Sequence, residues 1–394
     1  MVTEFFYPST GGTQTVVASL ANQLAQRDYA VTVFAPTRAG DSQPTARAGG
    51  SLPSETRARE RPSDVSGIGT YKVVLVPVPR RPGVAYLVAQ YRIWRCLTEA
   101  FDVVHVFHPA FGLAGLIEQQ LHRTPLVVSL MGYDTYAFGQ MSRVKQTIAL
   151  AACRRADAML APSHDLARIA GGLGVETHIE VIPHGIDAPT VHPARVSELR
   201  RSLQIPPGTT VCVAVQRHYP IKDPMVFLET WKQLRQSSYR LVLVGGGELE
   251  PVLRRQATKW GLDNIHIVGE VPHEDVPAYL SLAHIFVHHS RYESFGVGIL
   301  EAMQMGAPVI ACDVGAVPEI ITDGVDGLLI PPSNPTAMAQ AVTLMAGSPD
   351  LRAGLAAAGR RRASELGWQR LADRYIRIYE DTCHPRGPAG GVQQ

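Results

Sequence analysis

Short runs of β-branched and other apolar residues recur along the chain, and longer stretches with helical spacing lie between them. In the first half the apolar runs predict strands at residues 1–6, 30–35, 72–78, 102–107, 125–130, 158–163 and 179–185. The spacing between them predicts helices at 13–27, 84–100, 111–122, 143–154 and 164–172. Apolar runs this continuous are typical of parallel strands that helices cover on both faces.

The second half repeats this alternation. Its apolar runs predict strands at residues 210–216, 239–247, 264–270, 284–290, 308–313 and 327–332. A chain of 394 residues has room for two domains at about 100–200 residues each. The α/β pattern therefore predicts two doubly wound, Rossmann-like domains that face each other across a crevice, joined within the proline-bearing stretch 188–208.

One stretch of the first half lacks apolar periodicity. Residues 38–68 are rich in Pro, Gly, Ser and Arg, and this composition predicts a mobile loop or an insertion. In open parallel sheets, ligands bind outside the carboxyl ends of the strands. We therefore expect the functional site at the loops that follow the strands.

Composition excludes several classes of protein. The formal net charge of +2 gives no reason to expect a nucleic-acid partner, and five scattered cysteines without a C-x-x-C pair fit a reducing cytosol. No apolar run is long enough to span a membrane, and the N-terminus lacks the order of a signal peptide. Basic clusters at 80–81, 154–155 and 360–362 favour a solvated face over an anionic surface such as a membrane.

The stretch SRYESFGVGILEAMQMGAPVIAC (290–312) combines a strand end, a helix start and two carboxylates. Ser294 is the predicted N-cap, so that Phe295, Gly296 and Val297 would present backbone N–H groups to a phosphate. On the helix, the Glu301 carboxylate would accept hydrogen bonds from two adjacent hydroxyl groups, as on a ribose. The alternative is a capped core helix that carries two exposed glutamates.

Glu293, on the loop before that helix, could hold sugar hydroxyls. On another strand-end loop, QRHYPIKD, Arg217 and Lys222 could neutralise a diphosphate and stabilise it as a leaving group, although ordinary surface charge is the alternative. Gly11 and Gly12 follow the first strand, where backbone can meet a ligand or simply form a tight turn.

The histidine pairs His105 and His108, and His288 and His289, invite a metal-site interpretation. Their spacing disfavours it, because adjacent strand residues point to opposite faces and no helical i, i+4 pair is present. The run VGGGELEP lacks the full G-x-G-x-x-G pattern and lies in the second domain, so a dehydrogenase is disfavoured as well.

On the basis of these residues and motifs, the sequence resembles the retaining glycosyltransferases of family 4, the glycosyltransferase group 1 family, which have the GT-B fold. The resemblance covers nearly the whole chain. Its most specific part is ESFGVGILEAMQMGAPVIACDVGAVPEIITDGVDGLLIPP, accompanied in order by YPSTGG, DVVHVFHP, SLMGYD, VIPHGID, RHYPIKD and VGGGELEPVL.

The resemblance implies a role for each matching position. Glu293 corresponds to the glutamate beside the donor sugar, and Glu301 to the one that holds the ribose. Arg217 and Lys222 resemble the diphosphate-binding pair, which makes Glu293, Arg217 and Lys222 the catalytic candidates. The remaining implied donor-binding positions are Gly12, Gly269, Glu270, Val271, Phe295, Gly296 and Val297, and the implied acceptor or donor-sugar loops contain Gly11, His108, Met131, Gly132 and Asp134.

The resemblance also implies a discontinuous first domain. Family members return their last helix to the first domain, and residues 366–383 resemble that helix. We therefore expect an N-terminal, acceptor-side domain of residues 1–187 plus 368–385 and a C-terminal, nucleotide-sugar-binding domain of residues 188–367. Residues 386–394 are predicted to be a disordered tail.

Two departures from the family pattern stand out. Met131 occupies a position where relatives often have a histidine close to the donor sugar, and His108 could compensate or be structural. The first strand is also shorter than the family pattern, which predicts a truncated or misassigned start.

The implied activity is retaining transfer of a hexose-type sugar from a UDP- or GDP-sugar to a lipid, glycan or small-molecule hydroxyl, without a metal or other cofactor. The cysteine usage predicts a cytoplasmic location, and the basic clusters with residues 38–68 leave peripheral contact with the inner face of a membrane open. Two alternatives stay open: a non-catalytic nucleotide-sugar-binding partner of another transferase, and a sugar-nucleotide epimerase with the same fold.

Overall fold

A computed structural model describes residues 1–4, 12–38, 59–64, 70–78, 82–97, 100–187, 191–234 and 238–384. The chain divides into two compact units. Unit 1 comprises Met1–Gly185 and Trp368–Gln394, and unit 2 comprises Ile186–Gly367. The sequence analysis placed these divisions after residues 187 and 367. The predicted tail at 386–394 lies outside the described residues.

Unit 1 is built on an eight-stranded sheet with the order β3-β4-β2-β1-β5-β6-β7-β8. Its strands are β1 (Val2–Thr3), β2 (Thr32–Arg38), β3 (Arg59–Asp64), β4 (Thr70–Val78), β5 (Val104–Phe107), β6 (Leu126–Ser129), β7 (Ala158–Ala161) and β8 (Ile179–Val181). Its helices include α1 (Gly12–Ala25), α2 (Pro82–Cys96), α3 (Leu113–His122), α4 (Tyr133–Tyr136), α5 (Arg143–Arg155) and α6 (His164–Gly172). All neighbours are parallel except β3 and β4.

Strand β3 corrects the prediction for residues 38–68. Arg59–Asp64 pairs antiparallel with β4 at the edge of the sheet, with Arg61 opposite Val73. The segment has no apolar alternation, and it carries Pro62, which sheets tolerate on edge strands. Arg38 ends β2. The remainder of the predicted loop, residues 39–58 and 65–69, lies outside the described residues.

Unit 2 is a six-stranded parallel sheet with the order β11-β10-β9-β12-β13-β14. Its strands are β9 (Thr210–Val215), β10 (Tyr239–Val244), β11 (Ile265–Gly269), β12 (Ile285–His288), β13 (Val309–Cys312) and β14 (Leu328–Ile330). Its helices are α7 (Pro193–Ser202), α8 (Met225–Gln233), α9 (Glu250–Trp260), α10 (Val276–Leu280), α11 (Val297–Gln304), α12 (Val317–Ile320), α13 (Pro335–Gly347) and α14 (Pro349–Glu365).

The strand order of unit 2 reverses between β9 and β12. From β9 the chain moves outward through β10 and β11, and it then returns to the other side of β9 with β12. Such a topological switch point leaves a crevice at the carboxyl ends of the two central strands, which is where doubly wound sheets bind ligands. The loops after β9 and β12 therefore border the expected ligand site.

The core of unit 2 follows from its apolar strands. Val213, Leu241, Phe286 and Ile310 on the four central strands are completely buried, and Trp231 of α8 is also inaccessible to solvent. Burial of an apolar side chain of this size contributes about 1.5–3 kcal/mol. These strands give the loops at their carboxyl ends a rigid base.

The last helix, α15 (Trp368–Cys383), belongs to unit 1. His105 on β5 connects it to the sheet, because its ring nitrogens lie 2.7 Å from the Tyr379 hydroxyl and 2.7 Å from Ser129 Oγ. Trp368 packs so closely on Gly185 that a Cβ there would lie 2.3 Å from the indole. Across the described ranges, no helix is both long and apolar enough to cross a membrane.

Candidate active site

The candidate site lies at the switch point of unit 2, where two strand-end loops meet. Cys212 of β9 pairs with Ile285 of β12 in parallel register, so the carboxyl ends of these strands are neighbours. The loop after β9 contains a short 3-10 helix, Pro220–Lys222, and the loop after β12 runs into α11. Both loops carry residues predicted from the sequence.

Lys222 and Glu293 form the central contact of the site. The Lys222 ammonium lies 2.5 Å from Glu293 Oε2, although the residues are 71 positions apart. Glu293 is buried, which corrects the alternative of an exposed glutamate. The sequence placed both residues in one site but gave no sign that they pair.

His288, the last residue of β12, contacts the same carboxylate oxygen. Its Nε2 lies 3.2 Å from Glu293 Oε2. Burial alone would raise the pKa of Glu293, but the Lys222 ammonium and the His288 ring hold that pKa well below its usual range. The carboxylate is therefore ionised at neutral pH.

Hydrogen bonds to two backbone carbonyls fix the loops after β9 and β12. The Gln216 side-chain amide donates to the Lys222 carbonyl at 3.1 Å. The Ile221 carbonyl accepts from the Arg291 amide at 2.8 Å and from Ser290 Oγ at 3.1 Å. These bonds hold Lys222 and the start of the Glu293 loop in one arrangement.

His289 supports this arrangement from the other side of β12. The Ser333 amide donates to its Nε2 at 2.9 Å, so the ring proton lies on Nδ1, 3.5 Å from the Lys222 carbonyl. Burial lowers the pKa of His289 and keeps the ring neutral. His288 and His289 thus face different partners, and within the described chain no group of three His, Cys, Asp or Glu side chains could hold a metal.

Arg217 is the second cation of the loop and is exposed. Its guanidinium lies 5.1 Å from the centre of the Tyr219 ring, a cation–π distance. The glycines after β10 allow that segment to pack directly against the loop after β9, since a Cβ at Gly245 would be 2.0 Å from the Gln216 carbonyl oxygen. The VGGG run therefore has a packing role.

Helix α11 starts beside Glu293. Its N-cap is Gly296, with φ 107° and no side-chain cap, so the prediction that Ser294 caps the helix is wrong. The left-handed backbone at Gly296 favours glycine. Phe295 is buried, while Val297 and Gly298 begin the helix with amides that have no acceptor within it. The predicted helix start is thus present, shifted by two residues, and its role in binding an anion stays a prediction.

Glu301 lies in the same helix and is partly buried, with 20% of its side chain exposed. Its neighbour is His273, whose Nε2 lies 3.8 Å from Glu301 Oε1. Burial raises the pKa of Glu301 to about 7 and lowers the pKa of His273. The carboxyl group is therefore poised between its neutral and ionised forms at physiological pH.

Gly269 ends β11 with a φ of 92°. A Cβ there would lie 3.2 Å from Glu250 Oε1 and 3.5 Å from Arg254 Nη2, and those two side chains form an ion pair on α9. Glu270 is exposed and Val271 is partly exposed. The predicted nucleobase position thus has an ion pair beside it that the sequence analysis did not identify.

The other predicted positions lie in unit 1. Gly12 is exposed at the start of α1, and Gly11 lies outside the described residues. His108 follows β5, is buried and has a φ of 76°. Buried Met131 and Gly132, with a φ of 119°, precede α4, which contains Asp134.

Comparison with known proteins identifies the family. Residues 10–188 match the family described as Glycosyltransferase Family 4, and residues 196–362 match Glycosyl transferases group 1. The chain belongs to the glycosyltransferase group 1 family. It is therefore a glycosyltransferase, and the segment that matches the group 1 description contains Arg217, Lys222, Glu293 and Glu301.

Curated relatives of this glycosyltransferase differ in their named activities. The D-inositol 3-phosphate glycosyltransferase of Nocardiopsis dassonvillei is 28% identical over 95% of this chain and 91% of that protein. The D-rhamnosyltransferase WbpZ of Pseudomonas aeruginosa is 35% identical, over 41% of this chain and 42% of that protein.

Solved structures establish the fold of this glycosyltransferase. HepE from Anabaena, crystallised with UDP-glucose, has a TM-score of 0.77 at 19% identity, covering 96% of this chain and 99% of that chain. Sucrose-phosphate synthase from Thermosynechococcus elongatus has a TM-score of 0.79 at 19% identity, covering 96% and 98%. The predicted GT-B fold is confirmed.

Sequence reasoning missed three side chains of this glycosyltransferase site. His288 was considered only as a metal ligand, and Gln216 and His273 were not singled out. The run HHS at the end of a strand that is otherwise apolar was the available signal, because a buried polar side chain at a strand end requires a partner.

Proposed function

We propose that this glycosyltransferase moves a hexose-type sugar from a UDP- or GDP-sugar to a hydroxyl group of a lipid, glycan or small-molecule acceptor, with retention at the anomeric carbon. The observation that carries the proposal is the Lys222–Glu293 pair at the switch point of unit 2, beside the start of α11. It combines a cation for a diphosphate with an ionised carboxylate for sugar hydroxyls.

The diphosphate has three complementary groups in unit 2. Lys222 and Arg217 supply positive charge from one loop, and the first amides of α11 supply N–H donors with the favourable end of the helix dipole. Negative charge increases on the diphosphate as it departs, so these groups stabilise the transition state more strongly than the bound donor.

The nucleoside would extend toward Glu301 and Gly269. An ionised Glu301 carboxylate can accept hydrogen bonds from both ribose hydroxyls, and the backbone around Gly269 is the proposed contact for the base. The Glu250–Arg254 pair beside Gly269 offers polar groups at the base position.

The reaction would break the bond between the anomeric carbon and the diphosphate oxygen, and it would form a bond from that carbon to the acceptor oxygen. The acceptor proton would pass to the leaving phosphate oxygen, on the same face of the sugar, so no side-chain nucleophile is required. Lys222 and Arg217 take the charge-neutralising role, and the proposal therefore includes no resident metal ion.

The relatives guide the choice of substrates for the test. One is named for D-inositol 3-phosphate and another for rhamnosyl transfer, which supports a panel of UDP- and GDP-hexoses with inositol 3-phosphate as the first acceptor. Lipid-linked sugars in vesicles belong in the acceptor panel, since such a substrate would bring the enzyme to a membrane surface.

The experiment follows the anomeric proton of the product by NMR. An α-linked donor is expected to give an α-linked product with the wild type and at least about tenfold less product with Lys222→Met. A β-linked product would contradict retention. Nucleotide binding without transfer to any acceptor would favour the non-catalytic alternative.

A further inference from the structure

His288 is a buried polar side chain that the fold of β12 does not require. The strand is buried along its whole length, and its other residues are Ile285, Phe286 and Val287. Only Nε2 of the ring has a hydrogen-bond partner, Glu293, and across the described part of the chain Nδ1 has none. Because buried polar atoms without partners are rare, the ring is better explained by its contact with Glu293 than by packing.

The geometry of the Glu293 carboxylate shows what that contact does. Lys222 and His288 both contact Oε2, and no donor among the described residues contacts Oε1. The carboxylate is thus held by one oxygen, while the other keeps its capacity to accept hydrogen bonds. Loss of either donor would let the carboxylate turn.

Lys222 has a second task if the proposed function is right. Its ammonium carries three N–H donors, and a diphosphate beside it would compete with Glu293 for them. When the leaving group gains negative charge, the ammonium is drawn toward the phosphate. Without another donor, the buried Glu293 carboxylate would lose its partner at that moment.

We propose that His288 is a positioning residue that holds Glu293 through Oε2 while Lys222 is shared with the departing diphosphate. The ring would donate to Glu293 Oε2 through Nε2–H. This arrangement keeps Oε1 directed at the donor sugar. The inference rests on the proposed function, since it assumes a diphosphate at Lys222.

Three variants separate positioning from structure. His288→Gln can place an amide N–H close to the position of Nε2, whereas the shorter His288→Asn cannot reach Glu293, and His288→Leu removes the donor. His284→Gln is the matched control, since His284 precedes the same strand and accepts from the Val211 amide instead. Initial rates give kcat and the donor KM, calorimetry gives the Kd of UDP and GDP, and thermal unfolding gives Tm.

We expect His288→Leu and His288→Asn to lower kcat by about tenfold or more, because a hydrogen bond to a charged group is lost in the transition state. The donor KM and the nucleotide Kd should change by less than about threefold, since the demand on Lys222 is greatest in the transition state. His288→Gln should restore kcat to near the wild-type value, and His284→Gln should leave it unchanged.

Wild-type kcat in His288→Leu would overturn the inference. So would a His288→Gln enzyme as slow as His288→Asn at the same Tm, or losses of kcat that simply follow Tm across the series. Failure of the proposed function looks different, because the wild type itself would then neither bind UDP or GDP nor transfer a sugar.

Discussion

Glu301 provides a test of the ribose assignment that depends on pH. Burial raises the pKa of this carboxyl to about 7, so the group changes charge in the range where enzymes are assayed. If the ionised form binds the ribose hydroxyls, donor affinity must weaken as the pH falls. The variant Glu301→Gln keeps the size of the side chain but removes this titration.

The expected magnitude follows from that pKa. With a pKa near 7, about nine tenths of the carboxyl groups are ionised at pH 8 and about one tenth at pH 6. The Kd of a sugar nucleotide should therefore rise about tenfold between pH 8 and pH 6 in the wild type. In Glu301→Gln the Kd should be weaker at pH 8 and nearly independent of pH.

The assay is isothermal calorimetry with UDP-glucose or GDP-mannose, chosen because their diphosphates have no terminal phosphate that titrates between pH 6 and 8. The difference between wild type and Glu301→Gln removes contributions from His273 and other groups. A wild-type Kd that is constant over this range, or an equal pH dependence in both proteins, would refute the assignment.

The same shift has a consequence for stability. The pKa of Glu301 in the folded protein is raised above its value of 4.5 in the unfolded chain. The protonated carboxyl therefore contributes to the free energy of unfolding in full below about pH 4.5, and this contribution is lost as the pH rises through 7. At pH 8, Glu301→Gln should therefore unfold with a free energy up to about 3 kcal/mol higher than the wild type, and the difference should shrink toward pH 5. Denaturant unfolding at both pH values measures it, and no stabilisation at pH 8 would contradict the burial argument.

Three further predictions concern other parts of unit 2. Lys222→Met removes the ammonium partner of the buried Glu293 carboxylate, so the free energy of unfolding should fall by about 3 kcal/mol. Nucleotide affinity should fall by about tenfold, and calorimetry that shows wild-type affinity would exclude the diphosphate role. Gly245→Ala places a Cβ 2.0 Å from the Gln216 carbonyl oxygen, at a φ of 126° that favours glycine. Urea unfolding should show a free energy of unfolding about 3 kcal/mol lower than that of the wild type, and a decrease below about 1 kcal/mol would mean that the loop moves aside easily. Asn334→Ala removes the N-cap oxygen that accepts a hydrogen bond from a first-turn amide of α13 at 2.9 Å. The free energy of unfolding should fall by about 1 kcal/mol without a change in activity, and altered kinetics would contradict a purely structural role.

Much of the fold was predictable because its strands are buried on both faces. A strand such as β12 is apolar at nearly every position, and this pattern identified it and its neighbours without a structure. Strand β3 was missed because its sequence, RERPSD, has no apolar face and it pairs at the sheet edge through its backbone. Sequence patterns report burial, and an edge strand whose sequence has no apolar face gives little such signal.

The site was predictable in its members but not in its contacts. Lys222 and Glu293 were both placed at strand ends, and the parallel topology brings those ends together. That Lys222 pairs with Glu293 and that His288 shares the same oxygen depend on loop conformations set by contacts such as Gln216 with the Lys222 carbonyl. Contacts across about 70 residues leave no regular spacing in the chain, so they had to be read from the structure.

The helix start illustrates the same limit at short range. Ser294 is a good N-cap by residue type, and the prediction followed from that preference. The structure instead begins α11 after Gly296, in a left-handed conformation that glycine tolerates. Gly296 was identified for ligand approach, and its φ of 107° shows that it also sets where the helix begins.

The most direct test of the central claim is a thermal-shift panel of UDP, GDP, ADP and their common sugar conjugates, measured on the wild type and on Glu301→Ala. A ligand at about 100 times its Kd should add about 2.7 kcal/mol of stability. We predict that one nucleotide and its sugar conjugates stabilise the wild type and that Glu301→Ala loses most of the shift. An equal shift in both proteins would contradict the ribose role of Glu301, and no shift with any nucleotide would contradict a nucleotide-sugar site in unit 2.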